Sequence, residues 1–151
     1  MVKYSNVALR IFLKEPIGHE VTEHLGVSPT LIRESTLYSG KIGAEPKATI
    51  HHTWELHSPK DEDANAGERL AALIDVITPF SERLISLDGT YRRHISLMYH
   101  LIPEQRDGSI FGNSIGLGIS APNMSKLGAW NLVFFYEAMW FNHPDREKKN
   151  P

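Results

Sequence analysis

The stretch GHEVTEHLG, Gly18 to Gly26, sets two histidines and two glutamates within six residues, the residue types of a zinc protease helix. That chemistry needs His-Glu-x-x-His, which puts two ligands on one helical face with the glutamate beside the metal-bound water. Here the order is His19-Glu20-Val21-Thr22-Glu23-His24. Five steps turn the two rings roughly 140° apart, so one intact helix cannot offer both to a single ion. The spacing suits an amphipathic surface helix instead. Glu20 and His24 form an i,i+4 pair, Val21 and Leu25 form the buried stripe, and Gly26 supplies a left-handed stop.

A second set of chemical residues lies on two alternating segments. ATIHHTWELHSP turns His51, Glu55 and His57 to one face, and YRRHISLMYHLI does the same with Arg92, His94 and His100. Were the two strands neighbours, His51, His57, His94 and His100 would form a histidine face suited to a divalent metal such as zinc, or to acid–base work. The alternative is a solvated or partner-contacting sheet face, because a one-residue slip of register dissolves the constellation. His52 sits on the apolar face beside Trp54 and reads as a hydrogen-bonded core histidine. Arg93, on the apolar face of its strand, must pair, reach the rim or meet a ligand, and snorkelling to the edge is expected. Ser39 to Gly43 lacks the spacing of a phosphate loop, and GLGIS lacks the third glycine of a dinucleotide fingerprint. No Gly-x-Ser-x-Gly surrounds Ser114, Ser120 or Ser125.

Elements of both periods position these residues. Asn6 to Leu13 alternates as a strand, and a short helix spans about Ile17 to Leu25. Residues 27–48 read as a long excursion with one short strand. In ERLAALIDVITPFSERLISLD, Leu70, Leu73, Ile74, Ile77, Phe80, Leu84 and Leu87 recur at helical spacing, with Pro79 kinking or splitting the helix. PEQRDGSIFGNS reads as a loop and IGLGIS as a short strand. Ser120 or Ala121 caps a helix that buries Met124 and Leu127, and the apolar WNLVFFYEAMWF reads as a central strand or a partner-binding edge. The mixture predicts an α+β fold: a single domain over 1–151, ordered over about 4–141. Its sheet, largely antiparallel or mixed, has about five strands, with two to three helices packed on one face.

Composition narrows the function classes. Lys+Arg (16) nearly balance Asp+Glu (18), which argues against a broad nucleic-acid footprint. No cysteine is present, so disulfides, thiolate nucleophiles and Cys-ligated zinc are excluded. The apolar run Val7 to Leu13 is too short for a membrane span and is not followed by a small-residue cleavage site, so a cytoplasmic location is expected.

SNVALRIF, HLGVSPT, TWEL, ITPFSERLISL, GIS followed by APNMSKLGAW, and a terminal FFYE occur in an order that resembles the bacterial domain-of-unknown-function family 4279. The resemblance runs from about Tyr4 to Phe141, and the segment between Pro29 and Trp54 departs from it. It carries no established activity. It implies an interaction role, since small bacterial domains of this kind often sit near toxin or defence genes. The expected function is therefore a non-enzymatic protein-binding module, of the immunity type if the partner is a toxin, with no cofactor. Its contacts would be Trp140 and Phe141 near the chain end and the acidic Asp61, Glu62 and Asp63, which suit a basic toxin. The rival expectation is a small metal-dependent enzyme using the four histidines; a homodimer paired through the last strand is a third.

Overall fold

Val7, Leu9, Ile11 and Leu13 alternate with Ala8, Arg10 and Phe12, and this period-2 pattern builds the central strand of the fold, β1 (Val2–Leu13). A computed structural model describes residues 2–13, 15, 17–40, 43–60, 64–87, 91–101, 104–106, 109–111 and 118–140; among these, the side chains of 2–6, 37, 94, 96–101, 104–106, 109–111 and 135–140 are not described. Along the chain follow α1 (Gly18–Leu25), β2 (Leu31–Ser39), β3 (Lys47–His57), α2 (Ala66–Ile77), α3 (Ser81–Ser86) and β4 (Arg92–Leu101). A hairpin of β5 (Glu104–Arg106) and β6 (Ser109–Phe111), α4 (Ala121–Ala129) and β7 (Val133–Trp140) complete it.

Five strands form one sheet in the order β2-β3-β1-β4-β7. All its pairings are antiparallel except β4 with β7, which α4 connects in parallel. The helices pack on one face, giving the α+β architecture that the sequence predicts. The core joins Val7, Leu9, Ile11 and Leu13 of β1 to Trp54 and Leu56 of β3 and Ile95 of β4. Val21 and Leu25 of α1 close one end. The helical stripe Leu70, Leu73, Ile74, Ile77, Phe80, Leu84 and Leu87 is buried throughout. Burying each such side chain stabilises the fold by roughly 1.5–3 kcal/mol relative to exposure.

Local chemistry sets the helix ends. Gly26 closes α1 in the left-handed region at φ 67°, its N–H donating to Thr22 O. Asn65 caps α2 by accepting from Glu68 N at 2.9 Å, and Ser120 caps α4 by accepting from Asn123 N at 3.4 Å. Pro79 splits the long helical stretch: Thr78–Phe80 turns as a 3₁₀ helix between α2 and α3. Trp54, fully buried, donates its indole N–H to Thr22 Oγ1 at 3.1 Å, and that hydroxyl donates to Gly18 O at 3.0 Å.

Four expectations change. Residues 31–39, read as part of an excursion, form a full strand, because β3 offers an edge that their β-branched and aromatic residues can join. The segment read as a loop after Pro103 contains the β5–β6 hairpin; its Asp107-Gly108 is a two-residue hairpin sequence. Gly118, Ile119 and Ser120 lie outside any strand, and 112–117 lie outside the described residues. Met124 is exposed, while Leu127 is buried as expected.

Arg93 also differs from the expectation. It does not run out to water alone. Its guanidinium donates to Leu84 O, to Leu87 O at 3.3 Å and to Ile85 O at 3.4 Å, setting a cation against the carbonyls at the C-terminal end of α3. His24 reaches the same end from α1, its Nε2–H donating to Arg83 O at 2.9 Å. Replacing Arg93 with Met leaves those carbonyls without a cation. The expected loss is about 1–3 kcal/mol in urea unfolding, against no measurable change for Met at the exposed neighbour Arg92. Equal midpoints for the two variants would refute this role.

Candidate functional site

The sheet face away from the helices is polar at its centre. Alternation turns Ala8, Arg10 and Phe12 of β1 to this side, and register places Arg10 opposite Glu55 and Phe12 opposite Thr53. On the other flank of β3, Leu31 lies opposite Glu55 and Arg33 opposite Thr53. Glu55 is therefore bracketed by an arginine from each neighbouring strand. It is 2% exposed. Its Oε1 lies 3.4 Å from Nε of Arg10 and 3.4 Å from Nε of Arg33. Its Oε2 accepts the Nε2–H of His57 at 2.9 Å. Thr30 ties down the adjoining backbone, donating its N–H to Glu55 O at 2.8 Å and accepting the His57 N–H on Oγ1 at 2.9 Å.

Burial pushes the Glu55 carboxyl up, but the hydrogen bond from His57 and the charges of Arg10, Arg33 and His57 outweigh it and hold the group below its ordinary 4.5. Glu55 is thus an ionised carboxylate at neutral pH. It fixes His57 with Nε2 protonated, leaving Nδ1 as the second ring nitrogen. The cluster holds one carboxylate, two guanidinium groups and an imidazole in fixed relation. That arrangement suits recognition of charge.

Of the four histidines expected as metal ligands, His51 and His57 do not meet. His51 and His57 are six residues apart on β3, about 20 Å. His94 lies opposite Arg10 and His100 opposite Tyr4, and their side chains are not described. β3 and β4 are not neighbours, because β1 runs between them. Zinc requires its ligand atoms about 2 Å from the ion. Among the described residues no group of three or more His, Asp or Glu side chains could hold a metal ion. His52 lies 4.0 Å from Glu34 at the margin of the core rather than within it. Trp140 ends β7, which is an outer strand of the sheet, and its side chain is not described. Phe141 and the acidic Asp61, Glu62 and Asp63 lie outside the described residues.

Two features escape sequence reasoning. One is Glu55 as the hub for Arg10 and Arg33. An arginine inside the apolar run VALRIFL was its only local signal, and Arg33 lay in a segment not read as a strand. The other is the outer ribbon. Pairing of β1 with β3 ends at Leu13 opposite His52, while β2 and β3 continue together to Ser39 opposite Lys47. On the helix-side face of that overhanging part Ile50 is exposed.

The described residues thus form an α+β sheet covered by helices on one side and carrying a buried ion cluster on the other. The chain belongs to the family described as Domain of unknown function (DUF4279), whose model matches residues 3–132. The match includes the 29–54 segment, where the resemblance in sequence motifs is lost. No curated protein and no solved structure matches the chain. Among the described residues, no helix is long and apolar enough to cross a membrane.

The folded-state pKa of Glu55 is depressed, so its contribution to stability is present above the unfolded value of 4.5 and is lost as pH falls through the folded value. Glu55→Gln should cost about 3–5 kcal/mol at pH 7, since it removes the carboxylate charge that faces Arg10 and Arg33. Its unfolding free energy should also vary less with pH than the parent's below 4.5. Parallel urea titrations of parent and variant between pH 3 and 7 test both; parallel curves would show that Glu55 does not set the acid limb.

Proposed function

We propose that this chain is a non-enzymatic protein-binding module whose partner docks on the outer β2–β3 ribbon. The observation that carries this reading is the exposure of three large apolar side chains on one face of those two strands. Tyr38 is 71% exposed, Ile50 54% and Ile32 50%. Register aligns them: Thr36 lies opposite Ile50, with Ile32 and Tyr38 on the same face to either side. Exposed apolar side chains on a long outer strand that contains no proline are features that protein partners use, and here the Glu34–His52 pair lies on the same face between Ile32 and Ile50. A polypeptide is the suitable occupant, because strand β2 offers backbone donors and acceptors at the sheet margin and its tyrosine is a common interface anchor.

Toxin neutralisation of the immunity type is the form of binding in keeping with the family resemblance. The reading moves the contact surface from the chain end to the segment at 31–50.

The test is affinity capture from the native host with the parent and three variants, read by mass spectrometry. Tyr38→Asp and Ile50→Asp should each lose a stoichiometric partner that the parent retains, with at least a tenfold drop in recovery, on the order of 1.4 kcal/mol. Ile85→Asp, at an exposed site on α3, should retain it. Light scattering over a range of concentrations completes the experiment. A parent that self-associates and becomes monomeric on Ile50→Asp would replace the heterologous partner with a second copy of this chain. A partner indifferent to both ribbon variants would overturn the docking surface.

A further inference from the structure

The face of the β2–β3 ladder opposite the apolar ribbon carries an unbalanced charge. Alternation and register assign Arg10, Arg33, Lys47 and Arg92 to this face, and among the described side chains Glu55 is the only carboxylate set against them. The chain as a whole has a net charge of −2, so the cationic excess here is local. Both guanidinium groups that flank Glu55 stay charged at any physiological pH.

Arg33 is the element of the cluster open to a ligand. It is 51% exposed, and its Nε lies 3.4 Å from Glu55 Oε1. Of its five N–H donors, the four on the terminal nitrogens are not used by that ion pair. His57, 22% exposed, has its Nε2 committed to Glu55 and keeps Nδ1 for a second contact. Glu55 thus holds an arginine fork and an imidazole in place while its own oxygens are turned to the protein.

The geometry points to a binding site for a single oxyanion, a carboxylate or a phosphate group, seated on Arg33 and His57 with Glu55 as the positioning residue beneath them. Guanidinium matches the paired oxygens of either group, and a preorganised fork loses little freedom on binding. The site goes beyond the ribbon reading and does not depend on it, since the two surfaces lie on opposite faces of the same strands.

Titration of isotope-labelled protein with inorganic phosphate, with acetate, and with sodium chloride at matched ionic strength tests the site by NMR. The expected result is a saturable shift of the Arg33 Nε–H and His57 ring signals by phosphate or acetate, the more effective of the two identifying the group preferred, with no saturable shift from chloride. Arg33→Gln, at a half-exposed position, should weaken binding about tenfold or more as read at His57. Arg92→Gln, on the same face but three strands across from Arg33, should leave it unchanged. No saturable shift with either oxyanion, or an equal loss from the Arg33 and Arg92 variants, would overturn the proposal, the second by showing that only the general potential of the face is felt.

Discussion

A carboxylate shut away from water must be compensated, and the sheet is arranged around that requirement at Glu55. Taking an ion out of water costs several kcal/mol, which a single well-placed partner seldom offsets. Here β1 and β2 each contribute an arginine, and β3 adds His57 two residues along its own course. The cluster thereby ties together the first three strands of the chain, which lie in the sheet in the order β2-β3-β1. It also penalises misalignment. A one-residue slip of β2 against β3 would carry Arg33 to the helix side of the sheet and leave Glu55 short of a partner. Hydrophobic burial supplies most of the stability; the ion cluster adds a constraint on register that apolar contacts between Ile and Leu side chains do not provide.

The two faces of the sheet divide the work. One is dry and holds the core, where even the polar group of Trp54 is satisfied through Thr22 and the backbone of α1. The other is organised by charge. Beyond the end of the β1–β3 pairing the distinction relaxes, and β2 and β3 continue together. Apolar side chains placed there by strict alternation, Ile50 and Tyr38, face solvent. The ion cluster lies where β1 still flanks β3, whereas Ile50 and Tyr38 lie beyond the end of that pairing.

The parts of this architecture legible in sequence are those set by local period and local stops. The seven-residue helical stripe from Leu70 to Leu87, the inward residues of β1 and the left-handed stop at Gly26 all depend on neighbours within a few positions. The arrangement of strands depends on distant partners, and there local reasoning fails. Placing the histidine strands side by side ignored β1, which inserts Arg10 in place of a metal ligand. β2 escaped notice because turn formers flank it on both sides and its stability as a strand comes from β3. His57 was singled out correctly as a chemical residue, but its partner proved to be a carboxylate on its own strand and not a second imidazole.

α3 contains only six residues, too few to persist as a helix without outside support. Its C-terminal carbonyls are held by His24 from α1 and Arg93 from β4. Breaking that end therefore releases three segments that are far apart in the chain. The backbone amides of α1 and α3 should then open to solvent as one cooperative unit, on the same timescale and with the same free energy, although more than fifty residues separate them.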